Sequence, residues 1–336
     1  MSQLRKLLFP ISITYYIFQL IKNKLYDLRI LKVTEFEIPT LCIGNLSLGG
    51  SGKTPLVNYI IKNFKNKYKI AFLSRGYNRN TSGYILVNDE NSAQEIGDEP
   101  YLIKRNHKKL IVSVSENRVH GIKKTIEKFK GIQMFILDDA FQHRRLKCSL
   151  NIVLSKFDSP FYNDFIIPVG NLREPKCGIK RANIIIITKC PPNINENQKT
   201  NIYNKINPSI NQKVFFSSII YNNYLIGRNK IQIKNLVGSS LILVTGIADS
   251  SSLEKYLLEK DIVFDHIKFN DHHKYVKSDI QKIKSKSTNK LIITTEKDYY
   301  KIIGIEKLSN IYFQGIDIKF HCPKEDFNME IKKYIK

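Results

Sequence analysis

The chain has 336 residues, 42% apolar and 25% charged, the balance of a soluble globular protein with length for two domains, each burying its own core. A formal net charge of +24 predicts attraction to something anionic, whether nucleic acid, anionic lipid or a phosphorylated substrate. Lysines spread along a chain rich in Ile and Asn give that charge a compositional origin as well. The five cysteines (42, 148, 177, 190 and 322) are scattered with no CxxC spacing, which argues against a disulfide framework or zinc site and fits a reducing compartment.

Residues 7–21, LLFPISITYYIFQLI, form an uncharged run of 15 residues between Arg5-Lys6 and Lys22. A spanning helix needs about 20 apolar residues, and no small-residue cleavage site follows to mark a signal peptide. Pro10 suits a first helical turn. Tyr15, Tyr16 and Phe18 suit a headgroup boundary, and Lys22, Lys24, Arg29 and Lys32 suit anionic lipid. Residues 1–30 are therefore expected to hold an interfacial helix on the cytoplasmic face of a membrane; a core-packing helix and a spanning anchor are the alternatives.

Next comes LCIGNLSLGGSGKTP at 41–55. An apolar run feeds a glycine-rich loop, and a helix is expected to open at Lys53-Thr54. Gly49, Gly50 and Gly52 let backbone N–H groups turn inward around phosphate oxygens, and the helix N-terminus adds its positive end. Ser47, Leu48, Gly49, Gly50, Ser51, Gly52, Lys53 and Thr54 are thus the expected nucleotide-binding residues, with Lys53 on the β/γ-phosphates and the Thr54 hydroxyl on Mg²⁺. Ser47 stands where the usual pattern opens with Gly.

Short apolar runs then alternate with helix-compatible stretches at 40–43, 69–73, 110–114, 134–137, 151–154, 183–188 and 213–219. This predicts an α/β fold with a P-loop NTPase-type, mostly parallel sheet covered on both faces. Stretches 193–211 and 221–230 read as loops or weak helices, and the second supplies a boundary near 225. Runs at 240–245, 262–269, 290–295 and 311–318 predict a smaller α/β domain. The expected organisation is 1–30, a P-loop core over 31–225, and a C-terminal domain over 226–336.

The run MFILDD ends at Asp138 and Asp139, where a strand after a P-loop delivers acid to Mg²⁺. Asp98 and Glu99 form a second acidic pair in a turn, open to base or metal roles or to a solvated turn. FNDHHKY places His272 and His273 beside Asp271, as a candidate proton acceptor or as surface histidines. Arg173 lies in a loop stiffened by Pro168 and Pro175, with Arg75 and Tyr77 after the second apolar run, and Arg suits phosphate. IIIITK at 184–189 resembles the base-side strand of P-loop GTPases, but Pro191 stands in the place of the guanine-reading Asp. A P-loop GTPase or ATPase switch, or a metallochaperone-type protein, is the competing reading.

GNLSLGGSGKTP, SRGY, GDEP, LDDAFQHRRL, PVGNLREP, DHH and TTEKD occur in this order along the chain. Together they resemble the tetraacyldisaccharide 4′-kinase family, the lipid A kinase of Gram-negative inner membranes, over nearly the whole length. Ser47 agrees with that family, which usually has Thr or Ser there. The resemblance implies MgATP-dependent phosphorylation of the 4′-hydroxyl of an acylated glucosamine disaccharide 1-phosphate. It implies Lys53 and Arg173 as catalytic cations, and Asp98 acting with His272 to activate the sugar hydroxyl. Thr54, Glu99, Asp138 and Asp139 would serve the metal, and Arg75, Tyr77, Gln142 and Arg173 the substrate. A monotopic N-terminal helix at the cytoplasmic face of the inner membrane is implied too, with anionic lipid as partner and neither nucleic acid nor an obligate protein partner expected. Ala140 departs from the family's usual Gly, and TGIADS at 245–250 from its usual GIGNP-like run.

Overall fold

The computed structural model describes residue 5, residues 7–288 and residues 290–335. The chain forms two compact units, residues 1–219 with 318–336, and residues 220–317.

The first unit opens on helix α1 (Phe9–Asp27) and continues through β1 (Thr40–Asn45), α2 (Lys53–Phe64), β2 (Ile70–Ser74) and β3 (Ile85–Leu86). It proceeds through α3 (Ala93–Ile96), α4 (Asp98–Asn106), β4 (Ile111–Val114), α5 (Arg118–Lys128), β5 (Met134–Asp138), β6 (Leu150–Lys156), β7 (Ile184–Thr188) and α6 (Glu196–Ile206). Strand β8 (Lys213–Ile226) leads into the second unit. There follow β9 (Lys230–Gln232), β10 (Leu241–Thr245), α7 (Ser251–Leu258), β11 (Phe264–Lys268), α8 (Lys277–Lys286), β12 (Leu291–Thr295) and α9 (Glu296–Ile305). Strand β13 (Ile311–Phe320) returns the chain to the first unit, which closes with α10 (Lys324–Lys332).

In the first unit the strand order is β3-β4-β2-β5-β1-β6-β7-β8, parallel except for β3 on the edge. Strands β1 and β5 alternate between two cores. Leu41, Ile43, Met134 and Ile136 pack with Leu56 and Ile60 of α2, while Cys42, Phe135 and Leu137 pack on the other face with Ile122 of α5. Burial on both faces is why these runs read as continuously apolar. The chain passes from β5 on one side of β1 to β6 on the other, so the end of β1 is a topological switch point, where open α/β sheets place ligands. Ile43 pairs with Asp138 across that end.

The second unit has parallel strands in the order β11-β10-β12-β13. Leu241 and Leu243 face α7 (Leu253, Leu257), and Ile242 and Val244 face α8 and α9 (Ile280, Ile283, Ile302).

Two stretches differ from expectation. Residues 221–226 are neither loop nor weak helix but the second half of β8, paired antiparallel to β9 through Tyr224↔Gln232 and Leu225↔Ile231; two asparagines hide a strand whose Leu225 is fully buried. The division also falls differently from a 226–336 domain. Residues 318–336 belong to the first unit, where Phe320, Phe327 and Ile331 are buried in its core. Phe320 and Phe327 stack at 4.3 Å, and Tyr59 of α2 meets Phe320 edge-on. Over 193–211, read as loop or weak helix, Asn195 and Gln198 form a capping box that starts a regular helix, α6.

Helix α1 turns its polar side inward. Ser12 Oγ accepts from the Val169 N–H at 3.1 Å, and Tyr15 Oη donates to the Arg173 carbonyl at 2.9 Å. Phe9, Ile11, Ile17, Phe18 and Ile21 are exposed. No helix among the described residues is long and apolar enough to cross a membrane. Residues 1–4 and 6 of the expected 1–30 segment lie outside the described residues.

Candidate active site

The loop after β1 has the backbone its glycines foretell. Gly49 and Gly52 adopt φ of 94° and 88°, values that L side chains rarely reach. Space around Gly50 is open. No side chain caps α2, so the first-turn N–H groups of the helix bearing Lys53 and Thr54 are available to an anion. The loop is tied on both sides. Ser47 bridges Leu172, and the Leu48 N–H donates to the Asn171 carbonyl at 2.8 Å. The Ser51 carbonyl accepts from the Thr188 hydroxyl at 2.8 Å.

Four residues meet at the ends of β1 and β5. Arg173 Nη1 and Nη2 each donate to an Asp139 carboxylate oxygen at 2.8 Å, a two-pronged fork. Lys53 Nζ lies 3.4 Å from Asp139 and 3.0 Å from Asn45 Oδ1. Arg173 Nη2 also donates to Asn45 Oδ1. Asp139 reaches this point because it adopts φ of 48° just past the strand, with its N–H on the Ile43 carbonyl at 2.8 Å. The positive φ falls on Asp139 and not on the next residue, so Ala140 is accommodated, buried, where the family usually has Gly.

The two aspartates differ electrostatically. Burial pushes the Asp139 carboxyl up, but the Arg173 hydrogen bonds and the Lys53 charge outweigh it and hold the group well below the usual carboxylate range. Asp138 is buried, with Ser74 Oγ donating to it at 3.1 Å. Burial, then the Asp139 charge, with a further contribution from Glu99, push its carboxyl up to about 6. A buried arginine, Arg118, donates to the Asp138 carbonyl at 3.0 Å and the Ser115 carbonyl at 2.9 Å.

Asp98 and Glu99 occupy the first turn of α4. The glycines of the two flanking motifs, both at positive φ, place them. A side chain on Gly97 (φ 92°) would lie 3.0 Å from Gly76, and one on Gly76 (φ 72°) would lie 2.8 Å from the Ile96 carbonyl. Arg75 and Tyr77 are exposed on the intervening turn. Gln142 does not point to open space. Its Nε2 donates to the Asn45 carbonyl at 2.9 Å and to Glu174 at 2.7 Å, and Glu174 in turn accepts from Arg181 at 2.6 Å.

Asp138, Asp139, Glu99 and Thr54 offer hard oxygen donors of the kind Mg²⁺ takes. Among the described residues, no three His, Cys, Asp or Glu side chains are placed to hold a metal by themselves. A donor set completed by phosphate oxygens and water is the usual one for Mg²⁺ at a nucleotide. The residues fit such an ion.

In the second unit the two neighbouring histidines part company. His273 stacks on Phe269 at 4.5 Å and bonds Asp279 at 2.9 Å, a structural position. His272 adopts φ of 56°, takes its N–H to Asp271 at 3.0 Å, and has Lys297 Nζ 3.2 Å from its Nδ1. Asp298, buried, receives the Gly246 N–H at 2.9 Å and the Thr295 hydroxyl at 2.7 Å, which braces the segment against α9. Asn45, Arg118, Glu174 and Lys297 were not singled out by the sequence as site residues. The GNLS and TTEKD motifs that carry Asn45 and Lys297 were the available signal.

A cavity of about 320 Å³ opens between α1 and the 164–177 segment, lined by Phe9, Ile13, Tyr16, Phe165, Val169 and Leu172 among others.

The glycine loop, the acidic strand end and the parallel sheet define a P-loop nucleotide-binding protein. The family model described as tetraacyldisaccharide-1-P 4′-kinase matches residues 4–336, and the chain belongs to that family. The tetraacyldisaccharide 4′-kinase of Flavobacterium johnsoniae is 38% identical over 100% of this chain and 98% of its own length. That of Bacteroides thetaiotaomicron is 37% identical over 99% of this chain and 94% of its own. Among solved structures, LpxK from Aquifex aeolicus in complex with ATP matches with a TM-score of 0.80 at 29% identity, covering 99% of this chain and 100% of that one.

Proposed function

We propose that this chain transfers the γ-phosphoryl group of ATP to the 4′-hydroxyl of a tetraacylated glucosamine disaccharide 1-phosphate, at the cytoplasmic face of the inner membrane. Family membership over the whole chain supports the reaction class, a phosphotransferase with an alcohol acceptor and ATP as co-substrate. The observation that carries it to residues is the meeting of Lys53, Arg173 and Asp139 at the switch point.

In this reading the loop over residues 47–54 cradles the triphosphate, while Lys53 and Arg173 take the charge that develops on the transferred group. Mg²⁺, held by Thr54 and the carboxylates, would neutralise phosphate charge. Asp98 accepts the proton of the sugar hydroxyl as the hydroxyl oxygen bonds the γ-phosphorus and the bond from that phosphorus to the β–γ bridging oxygen breaks, releasing ADP. A positioned base contributes about 10²–10⁴-fold, and alignment and electrostatics supply most of the rest. Arg75, Tyr77 and Gln142 serve the substrate side, with Gln142 acting through Asn45 and Glu174. The cavity beside α1 takes an acyl chain, and the exposed apolar side of α1 rests in the headgroup region.

A phosphoryl-transfer assay in mixed micelles tests this, with MgATP, the disaccharide 1-phosphate and a Lys53→Ala control. A bis-phosphorylated product that disappears in the control is expected. Lipid-independent nucleotide hydrolysis without that product would point to a P-loop switch protein instead.

A further inference from the structure

We propose that Asn45 is a positioning residue of the transfer site, yoking the Lys53 ammonium to the Arg173 guanidinium so that both converge on the transferred phosphoryl group. The inference rests on the kinase reading above. Asn45 is the last residue of β1 and is 1% exposed. Its Oδ1 accepts from Lys53 Nζ at 3.0 Å and from Arg173 Nη2. Its main-chain carbonyl accepts from Gln142 Nε2 at 2.9 Å and from Arg173 Nη2 at 3.3 Å, and its Nδ2 donates to the Ser47 carbonyl. One buried residue thus touches both active-site cations and the first turn of the phosphate loop.

The amide suits this task better than a carboxylate would. Two cations repel, and a shared acceptor with fixed orientation holds them side by side. Because the acceptor is neutral, it leaves their charge for the phosphates; Asp139 already sets a carboxylate against both cations. The hydrogen bond to Ser47 fixes which amide end faces the cations. Gln142, braced by Glu174, secures the carbonyl from behind.

The full chain and its Asn45→Ala, Asn45→Asp, Arg173→Ala and Asn45→Ala/Arg173→Ala forms would be compared for kcat, both KM values, ATP affinity by titration without lipid, and Tm. Asn45→Ala is expected to lower kcat about tenfold or more and to weaken ATP, with the disaccharide KM unchanged. Asn45→Asp keeps the size but adds an anion beside both cations and replaces the donor to the Ser47 carbonyl with an oxygen, so ATP affinity should fall about tenfold. In the Arg173→Ala background the further loss from Asn45→Ala should shrink to about threefold or less, because the residue acts through that arginine.

Kinetic constants and ATP affinity within about twofold of native in both Asn45 variants, or losses that simply multiply in the double variant, would overturn the proposal. If Asn45→Ala does not fold, the isosteric Asn45→Asp decides alone through its ATP affinity. Native protein that makes no phosphorylated lipid would defeat the kinase reading, while the ATP titrations would still decide the role of Asn45.

Discussion

Asp138 and Asp139 are the same residue type one position apart, and the fold gives them opposite characters. Asp139 turns out of the strand at positive φ and meets two cations, whereas Asp138 stays buried in line with β5 and is pushed up to about 6 by burial and its neighbour's charge. A divalent cation bound there would relieve Asp138 most, since Asp139 is already neutralised by Arg173 and Lys53. Asp138→Asn is therefore expected to raise the Mg²⁺ concentration for half-maximal turnover more than Asp139→Asn does, while Asp139→Asn chiefly lowers kcat. A Mg²⁺ titration of both variants checks this, and equal shifts would remove the distinction. Adjacent acids after an apolar strand were legible in the sequence because the motif is local. Which acid faces the cations was not, because Arg173 arrives from 34 residues further on.

Elements act here through their ends. Helix α4 starts on Gly97, whose positive φ and contact with Gly76 set the direction from which Asp98 and Glu99 enter. Gly97→Ala should cost about 2 kcal/mol, from an unfavourable φ and a 3.0 Å clash with backbone. Urea denaturation should show it as a lower midpoint, with turnover reduced as α4 shifts; a native midpoint would mean that the loop relaxes freely. At the other end of the chain, α1 presents Ile17, Phe18 and Ile21 outward and Ser12 and Tyr15 inward, the reverse of an ordinary surface helix. Replacing Ile17 and Phe18 by Glu should reduce binding to anionic phosphatidylglycerol vesicles about tenfold or more without unfolding the protein. Unchanged vesicle binding would take the membrane role away from this face.

For the molecule as a whole, burial of ionisable groups predicts how stability follows pH. His107 is buried, with Nε2 3.0 Å from Asn58 Oδ1, and burial, aided by Lys65 and Lys62, pushes its pKa down to about 4. His143 is likewise pushed down to about 4, by burial and then by Arg118 and other arginines. The unfolded chain binds these protons near 6.5 and the folded protein only near 4. Their stabilising effect is therefore complete above pH 6.5 and is lost as pH falls through that window. Tm should drop between pH 7 and 5, and His107→Gln should flatten the drop. A parallel pH profile in the variant would assign the loss to other groups.

By itself the sequence determined what depends on neighbours along the chain. The phosphate loop, its glycines, the acid-tipped strand, the βα alternation and the uncharged N-terminal helix are written in spacings of a few residues. Tertiary structure alone decided what depends on distant segments meeting. It placed Asn45 between Lys53 and Arg173, and it turned His273 inward onto Phe269 and Asp279 while His272 took Lys297. It also carried residues 318–336 back into the first core, where Phe320 and Phe327 lose more water-exposed surface than a polar loop offers. Local patterns register backbone geometry and apolar periodicity, whereas side-chain pairing across the chain is settled only when the sheet has closed.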